Sequence, residues 1–244
     1  MIIDSSENKK QILEEFLKIC EFDGWTNEAL AHALAKCGIS ENFATLIFEN
    51  GVLDVAEFYI ASQNEKALAA IENIEHFHAK KIRDKIRLAL YARFEVEKNH
   101  KLALQRLVNF YIDPKNLTSL QTGPRPLVQG LSTCYKVADF IWEAINDQST
   151  DFNFYTKRLT LGKIILRTLF VFQKDESDDL SKTKKFIDSE IEKVMNFEKF
   201  KVSFKNFSSS AKKTFCEIIL DEKGSPKSPK ELIKNLPFIR LIKF

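Results

Sequence analysis

One run of the chain gathers the side chains best suited to bind or position another molecule. Residues 147–158 read Asp147-Gln-Ser-Thr-Asp151-Phe-Asn-Phe154-Tyr155-Thr-Lys157-Arg158. Short oxygen-bearing side chains such as Asp147, Ser149, Thr150 and Asp151 end one helix and cap the next, because they accept its first free backbone N–H groups. A turn needs only one or two of them. Phe154, Tyr155, Lys157 and Arg158 then follow on the opening turns of a second helical segment. Aromatic anchors beside charged rims are the composition of a contact surface. A guanidinium at Arg158 suits a phosphate by bidentate bonding, and a salt bridge to Asp147 or Asp151 suits it equally. A solvated helix corner remains the bland alternative for the whole run.

Catalytic constellations are weaker. The chain has 4 histidines, and His76-Phe-His78 is their only close pair, a spacing that points two rings apart on a helix. Glu72 and His76 lie one turn apart, and Glu75 with His78 forms a single Glu-x-x-His. A di-iron bundle needs that motif twice. There is no Gly-rich phosphate loop and no Ser–His or Cys–His arrangement that stands out. The expectation is a protein that is not an enzyme, with no metal. The cysteines, Cys20, Cys37, Cys134 and Cys216, lack metal-ligand spacing and read as reduced, mostly buried thiols.

The full run from Trp142 through Asp147 to Arg158 resembles the signature of the coenzyme Q (ubiquinone) biosynthesis accessory family. The likeness is close over residues 138–193 and weaker over 23–58, where Asp23-Gly-Trp-Thr-Asn-Glu-Ala-Leu30 is similar to the family's first helices. It implies a TetR-like helical bundle that binds lipid and assists the di-iron demethoxyubiquinone hydroxylase. It implies a phospholipid or isoprenoid quinone intermediate as bound ligand, with Arg158 associated with it, and no other cofactor. It places Phe154 and Tyr155 at the hydroxylase-contacting surface, with Trp142, Asp147 and Asp151 around them. Where the family often carries Trp, this chain has Phe154, which keeps apolar area and removes an N–H donor. A homodimer through helices near 127–173 is also implied.

The rest of the chain must supply the elements that hold this run. With 244 residues, 44% of them hydrophobic, and only 7 Gly and 6 Pro, long periodic segments with few breakers argue for an all-α fold. Helices are expected near 7–22, from Thr26 onward, 41–49, 52–71, 76–97, 102–111, 127–146, 152–173 and 180–195. Gly38 should turn left-handed before Ser40, and Asp113-Pro114 should stop a helix. The division expected is a degenerate helix-turn-helix head over 1–50, a ligand-binding bundle over 51–195, an amphipathic membrane helix over 196–222, and a linker with apolar tail over 223–244. Walls of a lipid pocket are sought among Leu90, Phe94, Leu107, Phe110 and Leu131. Tyr135, Leu161, Ile165, Leu169 and Phe170 complete the set, and close-packed core is the alternative for each.

Three short helices before long ones is also the layout of a TetR-type ligand-responsive transcriptional regulator. Phosphate contacts supply most of the affinity of such proteins and require a basic reading head. Residues 11–60 hold two lysines against nine carboxylates, a net −7. Nucleic acid is therefore not an expected partner. Positive charge concentrates over 193–219 instead, six lysines against two glutamates, a net +4. There Phe197, Phe200, Phe204, Phe207 and Phe215 recur at helical spacing with Lys201, Lys205 and Lys212 beside them, which suits a helix lying in a bilayer interface. Packing of these rings onto the bundle is the alternative. The acidic opening lacks a signal-peptide pattern, and no run reaches a spanning length. A cytoplasmic protein peripheral at a bacterial inner membrane, or one at the matrix side of a mitochondrion, is expected. A purely structural partner of the hydroxylase, without ligand, is the remaining rival.

Overall fold

A computed structural model describes residues 5–40, 46–115, 125–148 and 152–203; of residues 5, 152, 153 and 196–203 it describes the backbone. Every regular element among the described residues is helical. The chain divides into two compact units, Met1–Ile74 with Ala92–Leu127, and Glu75–Tyr91 with Val128–Phe244.

In the first unit, helix α1 (Ser5–Asp23) and helix α2 (Asn27–Lys36) are joined by a turn that needs glycine. Gly24 sits at φ +76, and Thr26 caps α2 by accepting the Ala29 N–H at 3.1 Å. Gly38 at φ +67 turns the chain out of α2 as expected. The expected helix over 41–49 falls largely on residues 41–45, outside the described residues. Helix α3 (Val52–Glu72) is capped from outside its own sequence, since Asn27 Oδ1 accepts the Val52 N–H at 3.0 Å. Phe16, Trp25 and Tyr59 then stack edge to face through the core, with centroids 5.0 Å and 5.7 Å apart. The Trp25 indole N–H reaches the Ala103 carbonyl at 2.8 Å. Tyr59 donates to Glu97, which also accepts from Arg93, and Arg93 donates to Asn64 at 2.9 Å. All three core members of that network are buried and mutually paired, as buried charge requires.

Helix α4 (Ile82–Glu97) contributes its first part to the second unit and its last part to the first. The periodicity predicts this helix from residue 76, and the structure corrects that. His76 is left-handed at φ 54 and residues Phe77–Ala79 form a 3-10 turn. Phe77 is buried while its neighbours are exposed, so the chain folds inward at that ring before the helix can start. Helix α5 (Lys101–Ile112) ends before Asp113-Pro114.

In the second unit, helix α6 (Arg125–Ala144) and helix α7 (Phe152–Gln173) cross closely. A Cβ built at Gly162 would stand 3.5 Å from the Cys134 carbonyl oxygen, an ordinary contact, so the two backbones run about one side-chain carbon apart there. Ile141, Leu161, Ile165, Phe172 and Ile187 form the centre of this core. Helix α8 (Ser181–Ser203) runs on past residue 195, through the point where a separate amphipathic segment is expected to begin. Its start is held by a remote cap. Asp175 accepts from the Thr183 N–H at 2.7 Å and hydroxyl at 2.6 Å, and from the Ser177 N–H at 3.1 Å. Among the described residues no helix is long and apolar enough to cross a membrane.

Candidate functional site

The corner between α6 and α7 is built by the end of one helix and the opening turns of the other. α6 closes with a left-handed Asn146 at φ 59. The Asn146 N–H bonds the Glu143 carbonyl at 2.9 Å, and the Asp147 N–H bonds the Trp142 carbonyl at 3.0 Å. That turn carries the Asp147 carboxylate back toward α7, where Lys157 Nζ donates to it at 2.7 Å. Arg158 Nη1 lies 3.6 Å from its other oxygen. Arg158 Nε donates to Asp139 on α6, and Nη1 to the Phe154 carbonyl at 3.2 Å.

Arg158 is thus buried, 2% exposed, and bound by two carboxylates. Its guanidinium carbon stacks 3.3 Å from the Phe154 ring centroid. Of the two alternatives for this residue, ion pairing is what the structure shows. Asp147 is one expected partner and Asp151 lies outside the described residues. Asp139 was not anticipated, although a carboxylate on an otherwise apolar stretch of α6 is the signal that would have found it.

Around that pair stand two phenols. Tyr135 of α6 and Tyr155 of α7 are both half-buried. Burial pushes the Tyr135 hydroxyl up to about 12, with the Asp139 carboxylate adding to the shift and Arg158 opposing it. Burial also raises Tyr155, opposed by Arg158 and reinforced by Asp139. Both are neutral hydrogen-bond donors and acceptors near pH 7. The Tyr155 and Phe154 rings meet edge to face at 4.9 Å. Trp142, expected at the contact surface, is buried beneath it, with Lys157 Nζ 5.0 Å from its ring and no hydrogen-bond partner for its indole N–H among the described residues. It supports the corner from inside.

The expected pocket residues divide between the units. Leu90, Leu131, Tyr135, Leu161, Ile165 and Leu169 fall in the second; Phe94, Leu107 and Phe110 fall in the first. Leu90, Phe94, Leu107, Leu161 and Ile165 are buried, whereas Phe170 is 44% exposed on the outside of α7. A groove of about 840 Å³ in the first unit is bordered by Leu13, Leu17, Phe22, Gln63 and His100, none of them among the expected lining. Of the expected membrane residues, Phe197, Phe200 and Lys201 lie on the backbone of α8 with their side chains outside the described residues. Phe204, Lys205, Phe207, Lys212 and Phe215 lie wholly outside them.

Residues 127–198, which include this corner, match the COQ9 protein family. Curated relatives extend the likeness. The probable ubiquinone biosynthesis protein coq9, mitochondrial, of Dictyostelium discoideum is 25% identical over 200 residues, covering 80% of this chain and 62% of its own length. The ubiquinone biosynthesis protein COQ9, mitochondrial, of Homo sapiens is 26% identical over 186 residues, covering 76% and 57%. That of Rattus norvegicus is 27% identical, covering 76% and 58%. The chain therefore spans about three fifths of the length of these relatives. Both comparisons relate this chain to the COQ9 proteins, a coenzyme Q biosynthesis family.

Proposed function

We propose that this chain serves ubiquinone biosynthesis as an accessory protein, which binds a lipid or isoprenoid quinone intermediate at a membrane and presents it to the demethoxyubiquinone hydroxylase. The observation that carries the proposal is the corner of α6 and α7, which lies inside the segment matching COQ9. There the paired Arg158–Asp139–Asp147 cluster holds the Phe154 ring, Tyr155 packs edge to face on that ring, and the half-buried Tyr135 stands in the field of the same charges. Because the guanidinium is already bound by carboxylates, the groups offered outward are neutral phenols and an aromatic face. Those suit a quinone ring or a protein partner better than a free anion. An accessory of this kind replaces bilayer contacts of a poorly soluble substrate with protein contacts, and the hydroxylase supplies the chemistry. A pair of such chains joined through the α6 and α7 region, working at the matrix side of the inner membrane or at a bacterial inner membrane, completes the proposal.

The test is complementation of cells lacking their own accessory protein. The double variant Phe154→Ala, Tyr155→Ala should fold, as judged by helicity and melting, and should lower quinone output with accumulation of the demethoxy intermediate. Normal output from a folded double variant removes this surface from the function. Native mass spectrometry of gently purified protein should show a copurifying lipid or quinone, and a protein free of both would leave only a structural role beside the hydroxylase.

A further inference from the structure

We infer that the start of α4 is a separate contact site for an anionic lipid surface, built from Lys80, Lys81, Lys85 and the exposed Ile82. This rests on the proposal that the chain works at a bilayer, but on residues other than the phenylalanine-rich stretch expected to bind there. Residues 80–87 carry Lys80, Lys81, Arg83, Lys85 and Arg87 against a single carboxylate, Asp84. The two arginines are committed. Arg87 Nε pairs with Asp188 at 2.7 Å and Nη1 with Asp84 at 3.0 Å, while Arg83 Nη1 reaches Glu192 at 3.3 Å. Lys80, Lys81 and Lys85 have no acidic partner among the described residues. Ile82, between them, is 59% exposed, more than any other large apolar side chain described in this unit.

Pairing along the helices shows which way this patch faces. Arg83 meets Glu192, Arg87 meets Asp188, and Tyr91 meets both Asp188 and Lys184, so α4 and α8 run antiparallel. The start of α4 therefore lies at the end of α8 from which the chain continues toward residue 203. Buried Ile187, Ile191 and Thr183, with the Glu190–Arg167 pair at 2.5 Å, fasten α8 to the same unit. Free cations around an exposed aliphatic side chain fit an anionic bilayer, where lysines meet headgroups and the isoleucine leaves water. A nucleic-acid backbone would satisfy the lysines and leave Ile82 in water. Three lysines and one isoleucine are also far short of a protein interface, which takes roughly 800 Å² from each partner.

Sedimentation with vesicles of phosphatidylcholine and phosphatidylglycerol, against phosphatidylcholine alone, tests this on the full chain. Lys80→Glu with Lys81→Glu and Lys85→Glu should weaken binding to the anionic vesicles at least about tenfold at moderate salt. Lys10→Glu with Lys36→Glu and Lys66→Glu, an equal charge change in the other unit, should leave it intact. Ile82→Asn should weaken binding at unchanged charge, and Ile82→Leu should not. Equal effects of the two lysine triples would reduce the site to net charge and overturn it. Parental vesicle binding by the α4 triple also overturns it, whether or not that variant loses a DNA duplex at low salt. Phe197→Glu with Phe200→Glu separates this site from the other: loss with that variant alone leaves the amphipathic stretch standing and sinks the α4 site. Loss with the α4 triple alone does the reverse. Melting temperatures within experimental scatter of the parent show that each variant is folded.

Discussion

Arg158 sits over the ring of Phe154, one helical turn before it, with its guanidinium carbon 3.3 Å from the ring centroid, while its nitrogens face Asp139 and Asp147 across the corner. A buried cation held this way is an internal bolt between α6 and α7. Removing it leaves Asp147, whose side chain is 7% exposed, with Lys157 as a cation partner, whereas Asp139 is open enough to be rehydrated. Arg158→Gln should therefore cost about 1–3 kcal/mol, less than breaking a fully buried pair with no other partner. Arg158→Lys should cost less, since charge is kept and only the fork geometry and stacking are lost. Denaturant unfolding reads both. A near-neutral Arg158→Gln would mean that the guanidinium is not holding the corner.

The head offers a sharper test, because two residues far apart in sequence share one cap. Gly51 has φ 58 and ψ −130, and a Cβ built there would stand 2.4 Å from Asn27 Oδ1, the atom that caps Val52. Gly51→Ala should destabilise by at least about 2 kcal/mol, from a backbone region kept for glycine with the clash added. Asn27→Ala should cost about 1 kcal/mol through the lost cap. In the double variant the clash disappears, so the two costs should sum to less than their separate values. Strict additivity would show that the close approach is not felt.

These cases show what the sequence could and could not reveal. Helix α7 occupies residues 152–173 as its periodicity predicts, and an acidic turn follows it. The Thr26 cap and the left-handed Gly38 were equally legible, since each acts on its immediate neighbours. The start of α4 was not, because Phe77 is drawn into a core that periodicity does not see. At the candidate site the residues of the run were legible as a group, and their sorting was not. Trp142 is placed inside while Phe154 and Tyr155 reach the surface in part, and the Arg158 partner Asp139 stands 19 residues back. A carboxylate on an apolar stretch marks Asp139 as needing a partner, but nothing local says which cation supplies it.

Thiol chemistry separates the cysteines. Burial pushes Cys20 and Cys134 up to about 12, whereas Cys37 is partly exposed with a smaller upward shift from burial and from Glu15. Reactivity follows the thiolate and its access. Brief alkylation of native protein near pH 8, read by peptide mass spectrometry, should mark Cys37 well before Cys20 or Cys134. Denaturant should bring all three to similar rates. Early labelling of Cys134 would indicate that the α6 and α7 crossing opens readily.

Asp175 makes the stability of the α8 start depend on acid. Burial raises its pKa, but the hydroxyl and backbone donors of Ser177 and Thr183 outweigh that and hold the carboxyl well below its usual range. A depressed carboxylate contributes stability above its unfolded pKa and loses it as pH falls through the folded one. The loss should therefore fall below about pH 4, where a free aspartate begins to protonate. Asp175→Asn keeps an acceptor but not the charge, so it should be less stable than the parent at pH 7. The gap between the two should narrow as the pH drops below that point, when Asp175 of the unfolded parent takes up a proton while the folded carboxylate still resists it. Parallel melting curves of parent and variant from pH 7 to pH 3 give the measurement. A gap that stays constant over that range would show that the charge of Asp175 contributes nothing, and that the Thr183 cap works through hydrogen-bond geometry alone.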